Sequence, residues 1–143
     1  MATVRELLNR KGRELHSIEP EDPVLEAIQL MADRHCGALL VMRAGSLVGI
    51  VSERDYARKV ILMGRSSNET PVWQIMSSPV VTVTPEQTLT DCMRIMTERR
   101  IRHLPVADQG SVIGVLSIGD LVKAVMEEQQ QTIEHLESYI HHG

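Results

Sequence analysis

The chain has 143 residues, 43% apolar and 24% charged, enough to fill and cover one domain's core. Fifteen basic against nineteen acidic residues leave a net charge of −4, which argues against a general nucleic-acid surface. Aromatic residues make up only 2% and Phe is absent, so burial falls to Val, Ile, Leu and eight Met, a set suited to thin layers of helix on sheet.

Met1–Arg13 is charged and lacks the apolar stretch of a signal peptide. No apolar run approaches a membrane span; the longest are Ala38–Met42 and Val60–Met63. After the short apolar segment Val4–Leu8, an extended piece is expected over Leu15–Ile18. Asp22 is placed to cap a helix with Pro23 at its first position. Val24, Ala27, Ile28 and Met31 then recur at helical spacing. Two apolar runs, Ala38–Met42 and Leu47–Val51, flank Ala44-Gly45-Ser46 and predict a hairpin. A second helix opens at Ser52 and can end at Gly64. Arg65–Pro71 reads as a polar linker. Val72–Met76 matches Val4–Leu8, with Trp73 expected as a packing anchor.

The same order then returns. Val80–Val83 is the extended piece, and Thr88 with Asp91 is expected to make a capping box at the next helix start. Leu89, Cys92, Met93 and Met96 form the apolar stripe, which makes Cys92 a core residue. His103–Ala107 and Val112–Leu116 flank Asp108-Gln109-Gly110, and a last helix opens at Ser117. That helix runs on toward Ile140. Val122, Met126, Gln129, Ile133, Leu136 and Ile140 recur in alternating steps of four and three, a coiled-coil type of seam that either lies against its own domain or pairs with a second copy.

Sliding Ser17–Val60 forward by 65 positions lays it on Thr82–Val125 without a gap. Pro20-Glu21 falls on Pro85-Glu86, Met31 on Met96, Arg34 on Arg99, Gly49 on Gly114, Ser52 on Ser117 and Asp55 on Asp120. Neither copy is long enough to bury both faces of so small a sheet. The expectation is an α+β fold of two tandem β-α-β-β-α repeats packed about a pseudo-twofold axis, with an extended C-terminal helix. The divisions are 1–64 for the first repeat with its N-terminal segment, 65–71 for the linker and 72–143 for the second repeat, all within one compact module.

Gly49-Ile50-Val51-Ser52-Glu53-Arg54-Asp55 and Gly114-Val115-Leu116-Ser117-Ile118-Gly119-Asp120 share one pattern, and the second copy adds Arg102-His103-Leu104-Pro105-Val106. On these residues the layout, from about Thr3 to Met126, resembles the tandem cystathionine-β-synthase (CBS) domain pair, of the stand-alone bacterial type. The resemblance implies a regulatory module and not an enzyme, with an adenosine-containing ligand such as AMP, ATP, NAD or S-adenosylmethionine between the repeats. It further implies a homodimer that signals to a separate regulated protein. The implied binding residues are Thr84, Arg102, His103, Pro105, Ser117, Gly119 and Asp120 of the second copy, with Ser52, Arg54, Asp55 and Arg58 of the first. A structural dimerisation module with unoccupied pockets is the competing expectation. The first copy lacks the His-x-Pro pattern, having Gly37-Ala38 where the second has Arg102-His103, so its pocket is the doubtful one.

The Ser-x-x-Asp spacing has its own chemistry. Ser sits where strand meets helix, and Asp follows one turn later on the same side. An ionised Asp accepts both hydroxyls of a ribose, and the free N–H groups of the helix start favour a phosphate. Gly119 lets a phosphate approach that backbone, and Arg102 offers a bidentate contact. The same spacing is also a capping box that needs no ligand, and the two roles coexist when Ser caps while Asp turns outward. The chain has no glycine-rich phosphate loop and no Cys-x-x-Cys. Cys36 and Cys92 are expected as free thiols in a reducing cytoplasm. His16, His35 and His103 are scattered, and His135, His141 and His142 fall in a polar tail, so no metal site, membrane contact or nucleic-acid partner is expected.

Overall fold

The structure is a computed structural model that describes the backbone of residues 2–142 and the side chains of 2–140; the tail readings for His141, His142 and Gly143 lie outside the described side chains. Helix α1 (Val4–Lys11) leads to strand β1 (Ser17–Ile18), α2 (Val24–Arg34), β2 (Ala38–Arg43), β3 (Ser46–Ser52) and the short α3 (Glu53–Tyr56), which continues as a π-helical turn over Ala57–Ile61. A 3-10 turn at Val72–Gln74 precedes α4 (Leu89–Arg99), β4 (His103–Asp108), β5 (Ser111–Ser117) and the long α5 (Ile118–His142).

The two halves share their irregularities as well as their elements. Ala44-Gly45 and Gln109-Gly110 all have positive φ, 50° and 80° then 51° and 82°, making two-residue hairpin turns whose twist suits the strands. Ser46 and Asp108 therefore belong to the strands and not to the turns. Val48 and Ile113 are each the extra residue of a bulge, because Val41 pairs with Gly49 but Met42 with Leu47, and Val106 with Gly114 but Ala107 with Val112.

One strand differs. β1 pairs in parallel with β2, with the Leu40 N–H donating to the His16 carbonyl at 3.0 Å. The position equivalent to Leu40 is Pro105, which has no N–H to give. The expected strand Val80–Val83 contracts to a single bridge, with Val83 donating to the Pro105 carbonyl at 3.0 Å and accepting from Ala107 at 2.8 Å. The helix caps also depart in part from expectation. Pro23 is itself the N-cap of α2, and the Asp22 carboxylate instead accepts from the Glu19 N–H. Thr88 caps α4 through the Asp91 N–H at 3.1 Å.

The two cores are built crosswise. Val4, Leu7 and Leu8 of α1 are buried among Leu89, Cys92, Leu104 and Leu116 of the second repeat. Val72 and Ile75 are buried among Val24, Met31, Val41 and Val51 of the first. Each such side chain contributes about 1.5–3 kcal/mol by leaving water. Backbone bonds repeat the exchange: Val4 donates to Gln87 and Val72 to Asp22, both at 2.9 Å. Glycine permits the closest approaches, since a Cβ on Gly114 would stand 2.6 Å from Leu8 Cδ2 and one on Gly49 would strike Met76. Trp73 is not the anchor its size suggests. It is 51% exposed, and Val72 and Ile75 beside it enter the core instead.

Candidate functional site

A cleft of about 310 Å³ opens between the repeats. The first repeat supplies Lys11, Gly12, Glu14 and His16, the corner His35–Leu40, and Ile50; the second supplies His103, Val115, Ser117 and Asp120. At its centre, Asp120 stands in the first turn of α5. Its Oδ2 accepts from the Ser117 N–H at 2.9 Å and from Lys11 Nζ at 2.6 Å, while the Asp120 N–H donates to Ser117 Oγ at 3.1 Å. The capping box is therefore complete, and the same carboxylate holds an ammonium from α1.

Burial by itself would raise the Asp120 pKa. The Lys11 and Ser117 hydrogen bonds and the Lys11 charge outweigh it and hold the carboxyl below its ordinary value. His103 lies over Gly37, whose Cβ would be 3.5 Å from the ring. Burial pushes the His103 pKa down; Asp120 opposes this, while Lys11 and Arg102 add to it. Burial thus favours the neutral imidazole.

The twofold-related position is arranged differently. Ser52 and Asp55 form the same capping box, and Asp55 takes its ammonium from Lys59 of its own helix at 3.2 Å. There Ser77 lies along β3, donating to the Ile50 carbonyl at 2.8 Å and accepting from the Ile50 N–H at 3.1 Å. At the cleft the residue equivalent to Ile50 is Val115, and its carbonyl is taken by Lys11 Nζ at 2.7 Å. The cause lies in chain length. Met76 is followed directly by Ser77, whereas Asn9, Arg10 and Lys11 intervene between Leu8 and Gly12. That extra turn of α1 replaces a backbone bridge with a long side chain and leaves the cleft open.

His103, Ser117 and Asp120 are the expected residues that the structure gathers in this cleft. Ser52 and Asp55 sit together at the twofold-related helix start. Arg54 is exposed there, with Nη1 donating to the Arg100 carbonyl at 3.5 Å, and Arg58 is exposed farther along. Arg102 is exposed beside the cleft and Thr84 is exposed in a turn, its N–H donating to Gln87. Pro105 is buried in β4, and Gly119 faces only the Ser117 hydroxyl. Lys11, Glu14, His16 and the His35–Gly37 corner were not anticipated. The signal for Lys11 is the change of repeat spacing, from 68 positions between Val4 and Val72 to 65 after Gly12. Among the described residues no three His, Cys, Asp or Glu side chains are grouped to hold a metal, and no helix is long and apolar enough to cross a membrane.

Residues 4–61 and 72–127 match the CBS domain family, one match to each repeat. The chain belongs to the CBS-domain family. It is 39% identical over 150 residues to the CBS domain-containing protein CBSX3, mitochondrial, of Arabidopsis thaliana, covering 99% of this chain and 73% of that protein. A Burkholderia ambifaria protein with CBS domains superposes with a TM-score of 0.87 at 50% identity, over 90% of this chain and 96% of the other. The CBS domain pair of protein MJ0100, solved with 5′-methylthioadenosine and S-adenosyl-L-methionine, superposes at 0.79 with 20% identity, over 90% of this chain and 98% of the other, a likeness of fold. CBS pairs are regulatory modules, and the two cores and bridging segments described above make this chain one such pair.

Proposed function

We propose that this CBS pair is a sensor, regulatory and not catalytic, that binds an adenosine-containing nucleotide such as AMP, ATP or NAD between its repeats and signals to a partner protein as a homodimer. The observation that carries the reading is the placement of Asp120 at a helix start inside an inter-repeat cleft. Its carboxylate matches a ribose diol, and the ammonium of Lys11 beside it matches a phosphate. Ligand entry transfers Lys11 from Asp120 to the phosphate and frees the carboxylate for the sugar. The adenosine ligands of the MJ0100 pair support the ligand class.

Melting the protein with AMP, ATP, NAD, S-adenosylmethionine and 5′-methylthioadenosine in turn tests this. A ligand at a hundred times its dissociation constant adds about 2.7 kcal/mol to stability. No stabilisation by any of them at millimolar concentration overturns the sensor. A second reading, a dimerisation module with no ligand, is favoured by one feature: Lys11 already satisfies both Asp120 and the Val115 carbonyl from within the chain.

A further inference from the structure

From Met126 to Ile140 every residue of α5 is exposed, so the seam is not buried by its own domain. At 1.5 Å per residue this is an arm of about 21 Å. Met126, Ile133, Leu136 and Ile140 are 63%, 48%, 55% and 74% exposed along one stripe of it. A polar helix of this length is marginal in water without a packed face. At its base is a groove of about 450 Å³, walled by Ala2, Leu89 and Thr90 on one side and by Val125, Gln129 and Ile133 of α5 on the other.

We infer that the occupant of this groove is the end of α5 from a second copy, the two arms pairing antiparallel. Centred on Gln131, that alignment sets Val122 opposite Ile140 of the second copy, Met126 opposite Leu136 and Val125 opposite Tyr139. Gln129, the polar break in the stripe, faces Ile133. The flanking Lys123 meets Glu137 of the second copy, twice by symmetry, so the charges are complementary. Parallel pairing leaves Lys123 and Glu137 about 21 Å apart along the axis. The antiparallel arm lays Leu136–Ile140 of one copy alongside Val122–Met126, at the base of the other's groove.

The inference rests on the homodimer part of the proposed function and not on its ligand. Sedimentation equilibrium of the full chain at low ionic strength tests it, with nucleotide melts run alongside. Lys123→Glu and Glu137→Lys are each expected to weaken self-association about tenfold, two ion pairs becoming two repulsions. The double variant Lys123→Glu/Glu137→Lys restores it. Val122→Cys/Ile140→Cys should oxidise to a covalent dimer. A double variant as weak as the singles overturns the pairing, as does efficient Gln129→Cys crosslinking, which requires parallel arms. Unchanged association after truncation at Met126 also overturns it, placing the contact on the repeats. Charge variants that lose association yet keep ligand stabilisation support the arm contact independently of the sensor; loss of ligand stabilisation alone counts against the sensor and leaves the arm contact standing.

Discussion

Replacing Asp120 by Ala probes the cap and the cleft together. Its Oδ2 accepts from the Ser117 N–H at 2.9 Å, and losing that bond at the start of α5 costs about 1 kcal/mol. The Lys11 pair is partly exposed, at 33% and 26% of the two side chains, so water screening leaves it worth about 0–1 kcal/mol. Asp120→Ala is therefore expected to lose about 1–2 kcal/mol, a fall in melting temperature of about 2–8 °C for a chain of this size. The same change removes the charged acceptor for the ribose, roughly 1.5–3 kcal/mol of binding, or ten- to a hundredfold in Kd. Asp120→Asn divides the two effects. Its amide oxygen still accepts from Ser117, but it offers no charge to Lys11 and fewer acceptors to a diol. Melts and calorimetry on both variants read the two outcomes. Unchanged melting in Asp120→Ala refutes the capping geometry. Lowered melting with full affinity for AMP, ATP or NAD refutes the role of the carboxylate in the cleft. Because the folded pKa of Asp120 lies below the ordinary 3.8, its stabilisation is present above that pH and is lost as pH falls through the lower folded value.

Three further outcomes are expected. The folded chain holds His103 neutral below its ordinary pKa of 6.5, so stability falls as pH drops from there through the folded value. His103→Gln should flatten that part of a denaturant-derived stability curve, and an unaltered slope would count against the burial described for the ring. The Cys92 thiol, pushed up to about 11 chiefly by burial, should resist iodoacetamide near neutral pH until the chain unfolds; labelling of the native protein at Cys92, read by peptide mass, contradicts this. Gly114→Ala drives a methyl against Leu8 and should cost about 1–3 kcal/mol in urea unfolding, whereas a neutral result would mean that α1 does not dock on the second repeat.

Local pattern alone sets the repeat, the order of its elements and the helix starts at Ser52 and Ser117. These follow from local periodicity, turn chemistry and a register of 65 positions, none of which needs a distant contact. Cys92 was legible as core for the same reason. Tertiary structure decided what depends on which surfaces meet. It sent α1 into the core of the second repeat and Val72–Ile75 into that of the first, because each repeat's sheet is too small to cover itself. It left Trp73 outside. It shortened the strand at Val83, because Pro105 cannot donate a bond whose acceptor is known only once the strands are paired. It also made the two helix starts unequal. Three extra residues carry Lys11 across to Asp120 and Val115, a contact between positions more than a hundred residues apart that no local pattern at either end encodes.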